Sequence, residues 1–245
     1  MSYPVNPWIR TFGLASTSAL QLVCLPHAGG AASYFGPMAR EFAPHVEVLA
    51  IQYPGRQDRY RERLIDSIEE LADHVVDALV PHLYRPTSLF GHSMGAAVAF
   101  EVATRLEARG HQVSALFVSG CGAPSLSRGS HKHELSDAEL VGELVRLGAT
   151  DPAIMADDEL RQFLLPAVRA DYRAIETYRH REGNVINCPV VALFGSSDPY
   201  VNAAKVGAWH QHARGDFELH ELPGGHFFID QQRDRVLEIM QGRLA

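Results

Sequence analysis

The stretch Leu89-Phe90-Gly91-His92-Ser93-Met94-Gly95-Ala96-Ala97-Val98 decides which fold this sequence predicts. A short apolar run over residues 87–90 is typical of a buried strand, and residues 96–109 have the pattern of a helix. Between them, the pentapeptide around Ser93 fits G-x-S-x-G, a strand-to-helix turn that exposes a serine above the strand end. The free N–H groups and positive dipole at the helix start suit a nucleophile whose attack creates an oxyanion. The alternative is a glycine-rich turn with a bystander serine.

The alternation of strand, loop and helix continues on both sides of this turn. Further strands are predicted at residues 20–25, 46–52, 115–120, 189–194 and 217–222, with a short edge strand at 9–12. Continuous apolar strands that alternate with helices are typical of a mostly parallel sheet with helices on both faces. The sequence therefore predicts the α/β class.

No strand is predicted between residues 121 and 187. Ser136 has capping-box spacing at the start of one helix, and a longer helix is predicted over residues 157–181. Pro166 predicts a kink or a break in that longer helix. Its apolar stripe consists of Leu160, Phe163, Leu164, Ala167, Val168, Tyr172 and Ile175. We interpret residues 121–187 as a helical insertion in a single domain of residues 1–245, with a stripe that packs on the domain, lines a pocket as a lid, or both.

Composition narrows the possible functions. The chain has 245 residues, of which 46% are hydrophobic, and this suffices for the core of one α/β domain. A net charge of −7 argues against a general nucleic-acid binder, which needs a basic face. The three cysteines lie far apart without zinc-binding spacing, which favours a reducing, cytoplasmic setting. We expect no signal peptide and no membrane span, because no suitable apolar run is found.

Three side chains that follow predicted strands form a candidate catalytic triad. Serine becomes a good nucleophile when a base removes its proton, and that base needs an orienting acid. Sites in open α/β sheets lie beyond the carboxyl ends of the strands. Ser93, Asp198 and His226 each follow a strand, and their order is that of the α/β-hydrolases. We therefore predict Ser93 as nucleophile, His226 as base and Asp198 as orienting acid.

Other residues compete for the acid and base roles. Asp216 lies at the wrong end of its strand, and Asp230 is too near His226 in sequence to reach its far nitrogen easily. Asp198 has the alternative role of a turn residue before Pro199.

The remaining histidines that we considered are assigned to structural or surface roles. His27 and His92 are expected to hold loops by packing or hydrogen bonding. The two H-x-H pairs are interpreted as solvated surface, with weak metal binding as the alternative. These pairs are His131 with His133 and His210 with His212.

An oxyanion hole requires two backbone N–H groups aimed at the developing charge. Met94, the residue after the nucleophile, is predicted to supply one. Ala28, in the loop of residues 26–30, is predicted to supply the other, because its small neighbours let the backbone approach a substrate. A tight turn that needs glycine for its own geometry is a compatible explanation of that loop.

Five motifs together resemble the type II thioesterases of polyketide and nonribosomal peptide biosynthesis. The combination of P-H-A-G-G with P-G-R is the most specific part, since each other motif is shared with many hydrolases. One departure is Gln57, where an acid is expected. The motifs are Leu25-Pro26-His27-Ala28-Gly29-Gly30, Tyr53-Pro54-Gly55-Arg56, Gly91-His92-Ser93-Met94-Gly95, Gly195-Ser196-Ser197-Asp198-Pro199 and Gly224-Gly225-His226-Phe227-Phe228.

The resemblance implies an α/β-hydrolase fold with a helical lid and an editing thioesterase activity. Such an enzyme removes stalled or aberrant acyl groups, often short ones, from the phosphopantetheine thiol of acyl or peptidyl carrier proteins. The family roles fall on the residues already named: Ser93, His226 and Asp198 for catalysis, and Ala28 and Met94 for the oxyanion. No metal or organic cofactor is implied, since phosphopantetheine belongs to the substrate. A cytoplasmic monomer whose partner is a carrier protein is expected.

An acidic carrier would need a basic patch on this acidic chain. Two arginine clusters are candidates, and solvated surface is the alternative for each residue. They are Arg56, Arg59, Arg61 and Arg63, and, in the insertion, Arg169, Arg173, Arg179 and Arg181.

Two other functions stay open at this point. The same residues would serve an esterase or lipase-like hydrolase of small oxygen esters. A non-catalytic, ligand-binding relative is the third interpretation, although such relatives usually lack a member of the triad.

Overall fold

The computed structural model describes residues 6–12, 18–126, 130–150 and 152–244. Within these ranges seven strands form one sheet in the order β1-β3-β2-β4-β5-β6-β7. The edge strand β1 pairs antiparallel with β3, and the other pairs are parallel. The strands are β1 (Ile9–Thr11), β2 (Leu20–Leu25), β3 (Val46–Ile51), β4 (Thr87–His92), β5 (Val113–Ser119), β6 (Val190–Gly195) and β7 (Phe217–Leu222). The predicted α/β class is therefore confirmed.

Helices follow most of the strands and cover both faces of the sheet. They are α1 (Gly36–Phe42), α2 (Ile68–Leu79), α3 (Met94–Ala108), α4 (Asp137–Leu147), α5 (Pro152–Ala156), α6 (Asp158–Thr177), α7 (Ala203–Gly207), α8 (Phe228–Gln231) and α9 (Arg233–Leu244). Short 3₁₀ turns lie at Ala32–Phe35, Gln57–Arg59, Val80–His82, Lys132–Glu134 and Ala208–His212. In the ranges that the structure covers, no helix is both long and apolar enough to cross a bilayer.

Successive side chains of the central strands serve two separate cores. In β2, Val23 and Leu25 pack in a cluster with residues of α2 and α3. Leu22 and Cys24 point the opposite way and pack with residues of α1 and α9. A parallel strand buried on both faces typically has a nearly continuous apolar run, and β2 has this pattern at every position except Gln21.

Three helices, α4 to α6, lie between β5 and β6, in the region predicted as an insertion. Ser136 caps α4 through a complete capping box with Glu139. The helix α6 continues through Pro166, so the predicted break is absent. The helices share a small core of their own, formed by Leu140, Leu144, Met155, Leu165 and Val168.

The apolar stripe of α6 is only partly buried. Ala167 and Val168 are covered, whereas Leu160 and Phe163 each expose 45% of their surface. The first two turns of α6 therefore present apolar side chains to solvent.

Candidate active site

Ser93 occupies a strained turn between β4 and α3. Its φ and ψ are 54° and −118°, although it carries a side chain that disfavours a positive φ. Its N–H donates to the carbonyl of Ser119 at 2.7 Å, which ties the turn to the end of the neighbouring strand β5. Such strain persists only where the surroundings enforce it, and it is the conformation of a nucleophile elbow.

The glycines on either side of Ser93 are required by close backbone approach. A Cβ at Gly95 would lie 2.1 Å from the carbonyl oxygen of Leu25, and one at Gly91 would lie 2.2 Å from that of Gly95. Neither contact can be relieved by a side-chain rotation, since both partners are backbone atoms. The G-x-S-x-G spacing thus lets α3 start directly against β2 and β4.

Three loops bring Ser93, His226 and Asp198 into one chain of hydrogen bonds. Nε2 of His226 lies 2.9 Å from Oγ of Ser93. Nδ1 of His226 lies 2.8 Å from Oδ2 of Asp198, in the loop after β6. The other carboxylate oxygen of Asp198 accepts the N–H of Tyr200 at 2.8 Å, which fixes its orientation. The Asp198 and His226 side chains are buried.

The two competing acids have other partners. Asp230 accepts a hydrogen bond from the Tyr34 hydroxyl at 2.9 Å. Asp216 lies just before β7 and 3.6 Å from Arg243, and its side chain is largely exposed.

Two further imidazoles are buried beside His226. The ring of His92 lies 5.1 Å from that of His226, and its Nδ1 is 3.0 Å from Oγ of Ser119. Burial, reinforced by the positive charges that His226 and Arg56 can carry, lowers the pKa of His27 to about 3. Burial also lowers the pKa of His92 well below its usual value. Both rings therefore stay neutral at pH 7.

The loop of residues 26–30 forms a tight turn at the mouth of the site. The Gly30 N–H donates to the carbonyl of His27 at 2.9 Å, and Gly29 has φ +76°. A type II turn requires a positive φ at its third residue, which explains Gly29. Ala28 lies inside this turn and lines the same cavity as Ser93 and Met94. Met94 is the first residue of α3, where backbone N–H groups have no partner within the helix.

A cavity of about 300 Å³ opens beside Ser93 and His226. Its wall includes residues of α4 and α6, so the helical insertion covers the site. Apolar lining residues are Leu126, Leu144, Leu147, Ile175 and Val201.

One side of the cavity is a polar cluster around Glu143. Its carboxylate pairs with Lys132 at 2.6 Å and accepts a hydrogen bond from the Tyr200 hydroxyl. Burial alone would raise the pKa of Glu143, but hydrogen bonds from Lys132, Tyr200 and Arg146 lower it to about 2. Tyr200 also packs edge-on against His226, with ring centroids 5.2 Å apart. The insertion is thereby connected to the loop that carries Asp198.

Several expectations about surface residues are wrong. Arg56 and Arg59, which were candidates for a docking patch, are only 6% and 5% exposed. The guanidinium of Arg56 pairs with Asp171, and Arg59 donates to the Gln52 carbonyl at 2.6 Å. His212 is buried, and its Nε2 lies 2.9 Å from Oγ of Ser125. The contacts of Arg56 with Asp171 and of His212 with Ser125 join distant parts of the chain, so local sequence did not reveal them.

Asp171 is the polar residue that sequence reasoning overlooked. It is fully buried on α6 and contacts both Arg56 and the loop of residues 26–30. A signal was available, because position 171 falls four residues after Ala167 and four before Ile175, on the apolar face of the helix. A carboxylate on such a face must be paired.

The part of the chain that the structure describes contains no group of three or more His, Cys, Asp or Glu side chains able to hold a metal ion.

Comparison with known proteins gives consistent matches over nearly the whole chain. The profile of the family described as "Thioesterase domain" matches residues 20–244. Thioesterase PikA5 of Streptomyces venezuelae is 48% identical over 227 residues, which are 92% of this chain and 81% of that protein. A probable cadicidin biosynthesis thioesterase of Streptomyces griseus is 42% identical over 229 residues, which are 94% of this chain and 63% of that protein.

A solved structure extends the match to the fold. The type II thioesterase BorB from the borrelidin biosynthetic cluster has a TM-score of 0.93 to this chain at 46% identity, with 100% of both chains covered. Together with the sheet order, this similarity confirms the α/β-hydrolase fold. The family resemblance seen in the sequence motifs is confirmed as well, and the chain belongs to the thioesterase domain family of thioester-hydrolysing enzymes.

Proposed function

We propose that this thioesterase acts in polyketide or nonribosomal peptide biosynthesis, where it removes stalled or aberrant acyl groups from the phosphopantetheine arm of carrier proteins. The proposal is supported by relatives that are named for biosynthesis, among them the probable cadicidin biosynthesis thioesterase and BorB from the borrelidin biosynthetic cluster. One observation carries the proposal: Ser93, His226 and Asp198 are linked by hydrogen bonds, and Ser93 and His226 line a partly apolar cavity beneath the insertion.

The first half of the reaction transfers the acyl group to Ser93. His226 takes the hydroxyl proton through Nε2 while Oγ attacks the thioester carbonyl. Asp198 accepts a hydrogen bond from the Nδ1–H, holds the ring in the required tautomer and stabilises the imidazolium. The N–H groups of Ala28 and Met94 stabilise the tetrahedral oxyanion. The carbon–sulfur bond then breaks, and the pantetheine sulfur takes the proton from Nε2 of His226 and leaves as a thiol.

The second half regenerates the enzyme. His226 takes a proton from water, whose oxygen attacks the acyl-serine carbonyl, and then returns a proton to Oγ as the ester bond breaks. A thiol has a pKa of about 8.5, so its departure needs less protonation than that of an alcohol or amine. These steps use no metal or organic cofactor, because the phosphopantetheine is part of the substrate.

The helical insertion is proposed as the lid of the acyl site. Leu144 and Leu147 on α4 and Ile175 on α6 supply apolar surface for an acyl chain. A cavity of about 300 Å³ suits short acyl groups better than a long peptide.

The carrier would dock on a surface made by the loop around Tyr60 and the first turns of α6. Tyr60 and Phe163 are each 45% exposed, and their ring centroids lie 5.3 Å apart. The Arg61 guanidinium lies 5.1 Å from the centroid of Tyr60, and Arg63 is also exposed. An exposed apolar pair beside arginines fits an acidic protein partner. We call these four residues the Tyr60 surface. Because the three cysteines lie far apart in the sequence and lack zinc-binding spacing, we also propose a cytoplasmic site of action.

One comparison of substrates tests the proposed function. Acyl-carrier protein, acyl-coenzyme A and p-nitrophenyl esters with the same acyl group are assayed with the wild-type enzyme and with Ser93→Ala. We expect the highest kcat/KM for the acyl-carrier protein and loss of turnover in Ser93→Ala. Repeating the assay with acyl groups of increasing length gives the chain-length preference.

Other outcomes would reject the proposal. A preference for oxygen esters would identify an esterase, and binding of the ligands without turnover by the wild-type chain would identify a non-catalytic relative. Full activity of Ser93→Ala would exclude a mechanism in which Ser93 carries the acyl group.

A further inference from the structure

A buried ion pair connects the helical insertion to the turn that contains Ala28. Asp171 is 0% exposed and Arg56 is 6% exposed. The two side chains form a bidentate pair, with N–O distances of 2.7 and 2.9 Å. Asp171 belongs to α6, whereas Arg56 follows β3, so the pair joins two separate parts of the fold.

Both residues of this pair also bind the backbone of the 26–30 loop. The N–H of Gly29 donates to Oδ2 of Asp171 at 2.7 Å. Nη1 of Arg56 donates to the carbonyl of Gly30 at 3.1 Å. The turn is therefore held at Gly29 by a carboxylate and at Gly30 by a guanidinium.

The Gly29 hydrogen bond binds the one peptide that distinguishes two common turn types. Type I and type II turns differ by a flip of the peptide between their second and third residues, here Ala28 and Gly29. The N–H of that peptide is the one bound by Asp171. The side chain thus holds the peptide in the orientation that accompanies φ +76° at Gly29. Val168, one turn earlier on α6, packs against Gly29 as well.

We infer that Asp171 is a positioning residue for the oxyanion hole: it aligns the Ala28 N–H through the Gly29 peptide and makes this alignment depend on the placement of α6. The inference rests on the proposed acyl-transfer mechanism. Asp171 does not touch the reacting atoms, since its partners are the Gly29 N–H and Arg56. Its effect is expected in the transition state, where the oxyanion forms, rather than in substrate binding.

Two double variants separate the Gly29 hydrogen bond from the ion pair. Removing one charge alone would leave the other buried and unpaired, which destabilises strongly, whereas replacing both is often tolerated. Arg56→Met with Asp171→Asn lacks the ion pair but keeps an acceptor for the Gly29 N–H, and we call it the amide double variant. Arg56→Met with Asp171→Leu lacks both, and we call it the apolar double variant. The two proteins therefore differ in the acceptor at position 171.

Kinetics on an acyl-pantetheine thioester, which needs no carrier docking, give the main measurement. We expect kcat of the apolar double variant to be about 10- to 100-fold below that of the amide double variant, with KM changed less than about threefold. An alkyl boronic acid forms an anionic tetrahedral adduct on serine, so its Ki should weaken by a similar factor in the apolar double variant. Binding of the uncleaved thioester to Ser93→Ala versions of both should be equal.

Controls distinguish positioning from loss of structure. Tyr178→Phe removes a buried hydrogen bond of 2.6 Å between the residue after α6 and Glu101 on α3. It should lower the unfolding midpoint in urea while kcat stays at the wild-type value. Equal kcat and equal boronic-acid Ki for the two double variants would overturn the inference, even if Ser93→Ala is inactive and the proposed function holds. A kcat that falls in Tyr178→Phe as much as in the apolar double variant would overturn it too.

Discussion

Asp198 lies 2.8 Å from Nδ1 of His226 although the two residues are separated by 28 positions in the chain. The loops after β6 and β7 produce this contact, because neighbouring parallel strands end at the same edge of the sheet. A buried carboxylate at this distance selects the tautomer of His226 that presents Nε2 as an acceptor to Ser93.

The first prediction concerns this carboxylate. Asp198→Asn should lower kcat for an acyl-pantetheine thioester at least about 100-fold, because an amide allows the wrong His226 tautomer. KM should change little, since Asp198 does not line the acyl cavity. Thiol release measured with a disulfide dye gives both constants. Asp216→Asn, in the exposed competing acid, should keep wild-type kcat, and the reverse pattern would assign the acid role to Asp216.

The second prediction concerns the close contact between α3 and β2. Gly95→Ala places a Cβ 2.1 Å from the Leu25 carbonyl oxygen, so it should lower the free energy of unfolding by at least about 2 kcal/mol. Gly142 lies on the exposed face of α4, where an added Cβ would meet no atom of another segment within 4 Å. Gly142→Ala should therefore raise the free energy of unfolding by about 0.5–1 kcal/mol. Urea denaturation followed by circular dichroism measures both. Equal effects in the two variants would contradict the close approach.

The third prediction follows from the lowered pKa of His27. The unfolded chain takes up a proton at this imidazole below about pH 6.5, whereas the folded chain does so only below about pH 3. The unfolded state therefore binds more protons in this window, and stability falls as the pH falls. His27 should contribute about 2 kcal/mol to the loss of unfolding free energy between pH 7 and pH 5.

Replacing this imidazole tests the linkage. His27→Gln should lose less unfolding free energy than the wild type on going from pH 7 to pH 5, whatever its stability at pH 7. His45→Gln, in an exposed side chain, is the matched control and should retain the wild-type difference. The same pH difference in all three proteins would show that His27 is protonated normally in the folded state.

The fourth prediction concerns the Tyr60 surface. Arg61→Glu with Arg63→Glu should raise KM for acyl-carrier protein about 10-fold or more, because like charges then oppose an acidic partner. KM for the acyl-pantetheine thioester should stay unchanged, since this substrate lacks the carrier. Arg235→Glu, on α9, makes a charge reversal elsewhere on the surface and should leave both KM values unchanged. A parallel rise of KM for both substrates would place these arginines outside the docking surface.

The sequence predicted the elements around the site well because their signals are local. The strand at residues 20–25 was predicted with the bounds of β2, since five of its six residues are apolar and five are buried. The capping box at Ser136 marked the start of α4 in the same way. Of the two effects predicted for Pro166, the break is absent, because the rest of α6 packs well enough for the helix to continue through a residue that lacks an N–H.

Burial of charged and polar side chains was the part that the sequence did not predict. Arg56 and Arg59 were taken as possible docking residues on account of their neighbours Arg61 and Arg63, yet only the latter two face solvent. Arg56 differs because it pairs with Asp171, which lies 115 positions later in the chain, and Arg59 differs because it donates to the buried Gln52 carbonyl. Nothing within a few residues of Arg56 distinguishes it from an exposed arginine.

The sequence by itself determined the order of the strands along the chain, the glycine-flanked turn around Ser93, and the loops that carry Asp198 and His226. Hydrophobic periodicity and turn chemistry act over a few residues, so they can be recognised in a single sequence. Only the tertiary structure decided the contact distances of these side chains, the burial of Arg56, and the connection of α6 to the 26–30 loop through Asp171. Those properties depend on desolvation and pairing between residues that are far apart in sequence, and they exist only once the sheet and the insertion are packed together.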